Sequence, residues 1–146
     1  MIFEQIFNTV HFVEKYKLIC LEHNDYDNGL IGSNKTLFLE ILKNIDDEFI
    51  YIAKDRLFKL DFQIKNIELN LGLTIKDGLI EPRLYFIENG EWLIYNRFDF
   101  IAEELNPGFR QNYNIPKYIS EAELVQVLKK IFSIYLDIKS EVTKLY

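Results

Sequence analysis

Two dipeptides constrain this chain more than anything else in it, Asp77-Gly78 and Asn89-Gly90. Each separates stretches of alternating apolar and polar residues. Asp, Asn and Gly tolerate the positive φ that a two-residue type I′ hairpin turn requires. Upstream of the first turn, Ile67, Leu69, Leu71, Leu73 and Ile75 alternate with polar or small residues. A period of two means a strand with one buried and one wet face. The stretch Asn66 to Phe100 therefore predicts three antiparallel strands.

Two-residue turns also fix register. Across the first, Ile75 is expected opposite Ile80, Leu73 opposite Pro82, Leu71 opposite Leu84 and Leu69 opposite Phe86. Across the second, Ile87 is expected opposite Trp92, Tyr85 opposite Ile94 and Arg83 opposite Asn96. That arrangement puts Leu93 and Tyr95 on the core face with the first strand's aliphatics. It puts Tyr85, Ile87, Trp92, Ile94, Phe98 and Phe100 on the other face. So apolar a second face implies either a covering helix or a surface for a partner. Pro82 lacks a backbone donor and Gly72 lacks a side chain, so each predicts a bulge or an unpaired edge.

The remaining segments fit around this meander. Residues 2 to about 20 carry Ile2, Ile6, Val10 and Val13 at helical spacing. A second helix is expected over Lys35 to Asn44, capped by Ser33 or Asn34, with Leu37, Phe38, Ile41, Leu42 and Ile45 as its apolar stripe. Phe49–Ile52 and Phe58–Ile64 read as further strands about a turn at Lys54-Asp55-Arg56. Ala102 to Tyr118, with Asn106-Pro107-Gly108 and Pro116, reads as an irregular connection. Ser120 and Glu123 form a capping box. Beyond it, Leu124, Leu128, Ile131, Tyr135, Ile138, Val142 and Leu145 recur as the seam of one long helix. The expected fold is α+β: an antiparallel four- to five-stranded meander sheet, two N-terminal helices and one long C-terminal helix, in a single domain over residues 1–146.

The sequence offers little chemistry. Phosphate-binding and dinucleotide glycine motifs and the nucleophile elbow are missing. His11 and Glu14 alone do not make a zinc helix. Read as a calcium loop, Asn24 to Lys35 places Tyr26 at the third ligand position and Lys35 at the twelfth, where an oxygen and a bidentate Glu belong. A turn-forming role explains that string better. The lone Cys20 sits among apolar residues, a poor setting for a nucleophile. The expectation is a protein that is not an enzyme, with no cofactor and no metal. The N-terminus shows no secretory signal pattern and no stretch is apolar enough to span a membrane, which together predict a cytoplasmic protein.

Net charge is −6, which disfavours direct nucleic-acid binding and favours basic partners. The acids fall in clusters at Asp25/Asp27, Asp46/Asp47/Glu48, Glu88/Glu91 and Glu103/Glu104. The run RLYFIENGEWLIYNRFDFIAEEL, from Arg83 to Leu105, is a tight aromatic hairpin followed by an acidic segment. It resembles the immunity proteins of contact-dependent growth inhibition and related bacterial polymorphic toxin systems. The resemblance implies a small cytoplasmic protein that binds and blocks one cognate toxin domain, often a nuclease and so basic. No signature residue carries over from that family; an acidic inhibitor occupying a basic surface would instead use Asp25, Asp27, Asp46, Asp47, Glu48, Glu103 and Glu104 for charge, with Tyr85, Trp92 or Tyr113 as anchors. The molecule is expected to be a monomer or a homodimer. Two alternatives share its size and acidity. One is a type III secretion chaperone, a dimer that carries a helix within its strand series. The other is a small enzyme or ligand-binding domain whose pocket gathers His23, Arg110 or carboxylates.

Overall fold

The computed structural model describes residues 2–30 and 32–146, the side chain of Ile2 excepted. Both hairpin turns take the expected form. Asp77 and Gly78 have φ of 51° and 79°, and Asn89 and Gly90 have 53° and 77°. They join β4 (Ile67–Lys76), β5 (Leu79–Glu88) and β6 (Glu91–Arg97). Ahead of these lie β1 (Ile50–Ile52), β2 (Leu57–Leu60) and the short β3 (Gln63–Ile64). The sheet is antiparallel, in the order β1-β2-β4-β5-β6, with β3 also paired to β4. Its strands thus follow one another in space as in sequence.

Helices cover one face. They are α1 (Ile2–Thr9), α2 (Phe12–Glu22), α3 (Lys35–Ile45), α4 (Phe98–Leu105), α5 (Phe109–Asn112) and α6 (Glu121–Leu145). The long α6 is anchored to the sheet by Tyr135, whose hydroxyl donates to the Leu69 carbonyl at 2.7 Å. Leu124, Leu128, Ile131, Tyr135, Ile138 and Val142 of its expected seam are buried, whereas Leu145 is exposed. Its cap is built as a variant of the capping box. The Ser120 hydroxyl accepts from the Glu123 amide, but Glu123 reaches back to the amide of Ile119 rather than of Ser120. In α3, Asn34 is the cap, accepting from the Leu37 amide.

Several expectations are corrected. The N-terminal helix is two helices, because His11 takes a left-handed conformation (φ 56°) between them. Ile6 and Val10 are buried and Val13 is half-buried, while the Ile2 side chain lies outside the described residues. Strand β6 ends at Arg97, and Phe98 and Phe100 belong to α4, so neither is a sheet-face residue. Phe98 instead fills the core, edge-on to Phe12 and Tyr16. The connection from Ala102 onward carries the rest of α4 and then α5 before it turns extended.

Register is the most consequential correction. The β4–β5 pairing is as expected from Ile75↔Ile80 to Leu69↔Phe86. In the β5–β6 pair, Ile87 faces Trp92, but a bulge then shifts the ladder. Phe86 faces Ile94, Tyr85 faces Tyr95, Leu84 faces Asn96 and Arg83 faces Arg97. The extra residue flips the strand beyond it. Ile94 thus packs against the core, and Tyr95 leaves it.

Gly72 and Pro82 mark different things. Gly72 is paired within the ladder to Lys59 and Arg83, with no bulge. What it provides is close approach, since a Cβ there would lie 2.8 Å from the Tyr85 ring. At Pro82 the strand is unpaired on one side. The alternation set by the first turn points its nitrogen away from β4, where β6 pairing has stopped at Arg83. The segment that bonds the same edge does so from the other side of Pro82, with Ile80 donating to the Pro116 carbonyl.

Candidate functional site

The face of the sheet opposite the helices bears side chains of its own. Gly72 and Thr74 of β4 share it with Arg83 and Tyr85 of β5 and with Trp92 and Tyr95 of β6. Leu57, Tyr85 and Ile87 are buried there, yet they stand apart from the main core cluster. No helix lies over this face among the described residues; what buries them are neighbouring side chains. Tyr85 is edge-on to Trp92, packs at 4.9 Å from Tyr95, and has the Lys59 ammonium 5.6 Å from its ring centre. Trp92 and Tyr95 meet edge-on at 5.2 Å, and they are 56% and 58% exposed. Two large aromatics so placed are the strongest anchor candidates on the surface.

This aromatic group opens onto two hollows. One, of about 310 Å³, lies over the bare face and is lined by Asp55, Lys59, Thr74, Arg83, Tyr85 and Trp92 among others. Burial, first, and the nearby Tyr95 raise the Tyr85 hydroxyl's pKa above its usual value, so it stays protonated and can donate. The second hollow, of about 470 Å³, runs along the free edge of β6 against α1 and α4. Phe3, Phe7, Ile101 and Leu105 supply its apolar lining, and Glu4 and Glu104 its charge. Tyr95 borders both hollows. The pairing alternation directs the Tyr95 amide and carbonyl away from β5, into the second hollow.

The acids and aromatics named from the sequence are scattered over the molecule. Trp92, Tyr85 and Glu104 come together around Tyr95. Asp25 bonds the Asn28 amide within its own loop, and Asp46 accepts from the Glu48 amide. Asp27, Asp47 and Glu48 are exposed elsewhere. Glu103 is structural in its contacts, taking the amides of Gly108 and Arg110 at the start of α5. Those bonds, that of Arg110 first, hold its carboxyl below the usual carboxylate range. Tyr113 packs on Phe109 with Lys17 over its ring, beside α2 and away from the sheet face. Tyr95, expected on the core face, is the site residue that lies on the opposite one. It stands two residues beyond Leu93, the extra residue of a bulge that nothing in the sequence announces.

Polar clusters elsewhere are closed on themselves. Buried His23 bonds Glu123 through Nδ1 at 2.8 Å and Lys130 through Nε2 at 2.8 Å, tying the end of α2 to α6. Buried Asp99 takes both Arg97, at 2.9 and 3.0 Å, and Arg110, at 3.3 Å. Both guanidiniums also lie over the Phe100 ring. His23 and Arg110 therefore sit in separate clusters and do not converge on a pocket. The Cys20 thiol is buried, and its pKa is pushed up to about 12 by that burial. Among the described residues, no group of His, Cys, Asp and Glu is placed to hold a metal ion, and no helix is long and apolar enough to cross a membrane.

Compared with known protein families, curated proteins and solved structures, the chain matches none.

Proposed function

We propose that this chain is an immunity protein that binds a cognate toxin domain and neutralises it by occluding the toxin's surface. The observation that carries the reading is the pair Trp92 and Tyr95, exposed on a sheet face that no described helix covers. Exposed aromatics at the centre of a hollowed surface are typical hot spots, because they bury much area at little entropic cost. The second hollow supports a protein partner in particular. A free strand edge beside an apolar groove suits an added strand from another chain. Glu4 and Glu104 there, with Glu88 and Glu91 by the second turn, suit a partner that is basic overall, as a nuclease must be to hold nucleic acid.

The test is co-expression with the product of the gene immediately upstream. Restored growth and a co-purifying complex are the expected results. No protection from that product, together with no complex in pull-down, overturns the reading.

A further inference from the structure

The hollow over the bare face has a character opposite to the chain as a whole. Its centre is one row of the sheet, Lys59–Gly72–Arg83, running across β2, β4 and β5. The row continues to Arg97, which is spoken for: Asp99 holds it at 2.9 Å and Glu81 lies 3.5 Å away. Arg83 is different. It is half-buried, and among the described residues its guanidinium has neither a hydrogen bond nor an ion pair. Lys59 has a loose contact with Asp61 at 3.4 Å. Gly72 lets the Tyr85 ring close over the strand, where a Cβ would lie 2.8 Å from it, with the Lys59 ammonium 5.6 Å from the ring centre. The Thr74 and Tyr85 hydroxyls complete a donor-rich cup, with Asp55 the one acid in it. The guanidinium, with no partner in its own chain among the described residues, is free to pair with an anionic group that arrives in the hollow. Its planar fork matches a carboxylate best.

We propose that this hollow receives an Asp or Glu side chain of the protein partner, paired with Arg83 and Lys59 and walled by Trp92 and Tyr95. This rests on the reading of the chain as a protein-binding inhibitor and adds the chemistry of the contact. The partner is then basic where it meets Glu4 and Glu104 and presents one acid to Arg83. The volume, about 310 Å³, suits a side chain and its neighbours rather than a long polymer. A nucleic acid fits less well. Its repeating phosphates would run over Glu68 and Glu81 on the same face, in a molecule of net charge −6.

Trp92 is the chain's single tryptophan, so its emission reports on the hollow directly. The experiment selects short random peptides displayed on phage against the immobilised full chain. The consensus peptide is then titrated while Trp92 fluorescence is followed. The expected consensus carries Asp or Glu at one shared position. Replacing that acid by its amide, or making Arg83→Gln, weakens binding about tenfold or more. Lys129→Gln, the same charge change on exposed α6, leaves it unaltered. The amide peptide is read on the wild-type chain, so the test survives a variant that does not fold. No enriched peptide, a consensus without an acid, affinity indifferent to Arg83→Gln, or a stronger response to single-stranded DNA overturns the proposal. Acid-dependent peptide binding without protection from the toxin would overturn the immunity reading alone. Protection without acid-dependent binding would overturn the hollow's chemistry alone.

Discussion

On the helix-covered face of the sheet, Phe86 meets Phe3 edge-on at 4.7 Å, and behind it Phe98, Phe12 and Tyr16 pack into a continuous core. On the opposite face, Tyr85, Trp92 and Tyr95 pack as tightly on one another. In the first group Phe86, Phe98, Phe12 and Tyr16 are fully buried, and Phe3 at its margin lines the second hollow. The second group is enclosed from below only. Comparable aromatic chemistry thus serves two ends, and what separates them is whether chain remains to cover it. Exposed aromatic area of that kind is unfavourable to an isolated chain unless a partner removes it from water.

The contrast can be broken at several points. Phe98→Ala should cost about 3–5 kcal/mol of stability, read by urea unfolding, because a buried ring is lost with no chain to refill its space. A loss under about 1 kcal/mol would mean the helix-covered face is looser than described. Trp92→Ala should weaken the partner by about 2 kcal/mol or more while folding stability changes by about 0.5 kcal/mol or less. Calorimetric titration beside a thermal melt separates the two effects. Gly72→Ala should fall between these. It pushes the Tyr85 ring from its seat and should cost about 1–3 kcal/mol, with a shift in Trp92 emission. Ser120→Ala tests the scaffold alone: about 1 kcal/mol from the lost cap of α6, with partner affinity unchanged.

The smallest effect concerns pH. Glu103 is held below its ordinary pKa, first by the Arg110 amide and then by that of Gly108. Its stabilisation is present in full above the ordinary carboxylate range and is lost as pH falls through the depressed value. Glu103→Gln should therefore be less stable than the parent near neutrality, and the two melting curves should converge in acid. Curves that stay parallel would show the carboxylate contributes nothing.

Much of this architecture was legible because its signals are local. Asp77-Gly78 and Asn89-Gly90 specify their turns through φ alone. The alternation of β4 and the seam of α6 follow from burial on a single side. The failures share a different cause. The bulge opposite Phe86 and Ile87 is a property of two strands together, and it puts Tyr95 on the exposed face rather than in its expected core position. Helix α4 starts at Phe98 directly from the strand, with Arg97 as a cap whose side chain bonds no helix amide. Without a stop signal, Phe98 and Phe100 continue the strand's alternation on paper. His11 breaks the first helix without glycine or proline. The site was least legible, because acids such as Asp46 and Glu103 bond the amides of their own turns and of a nearby helix start.

The claim that the uncovered face is the working surface is tested most directly with the double variant Trp92→Ala/Tyr95→Ala. Its affinity for the proposed toxin partner is measured by titration calorimetry beside that of the parent. The account predicts a cooperative melt close to the parent's and affinity weakened by about a hundredfold or more, as expected when two central anchors are lost. A folded double variant that binds the toxin as tightly as the parent would contradict it.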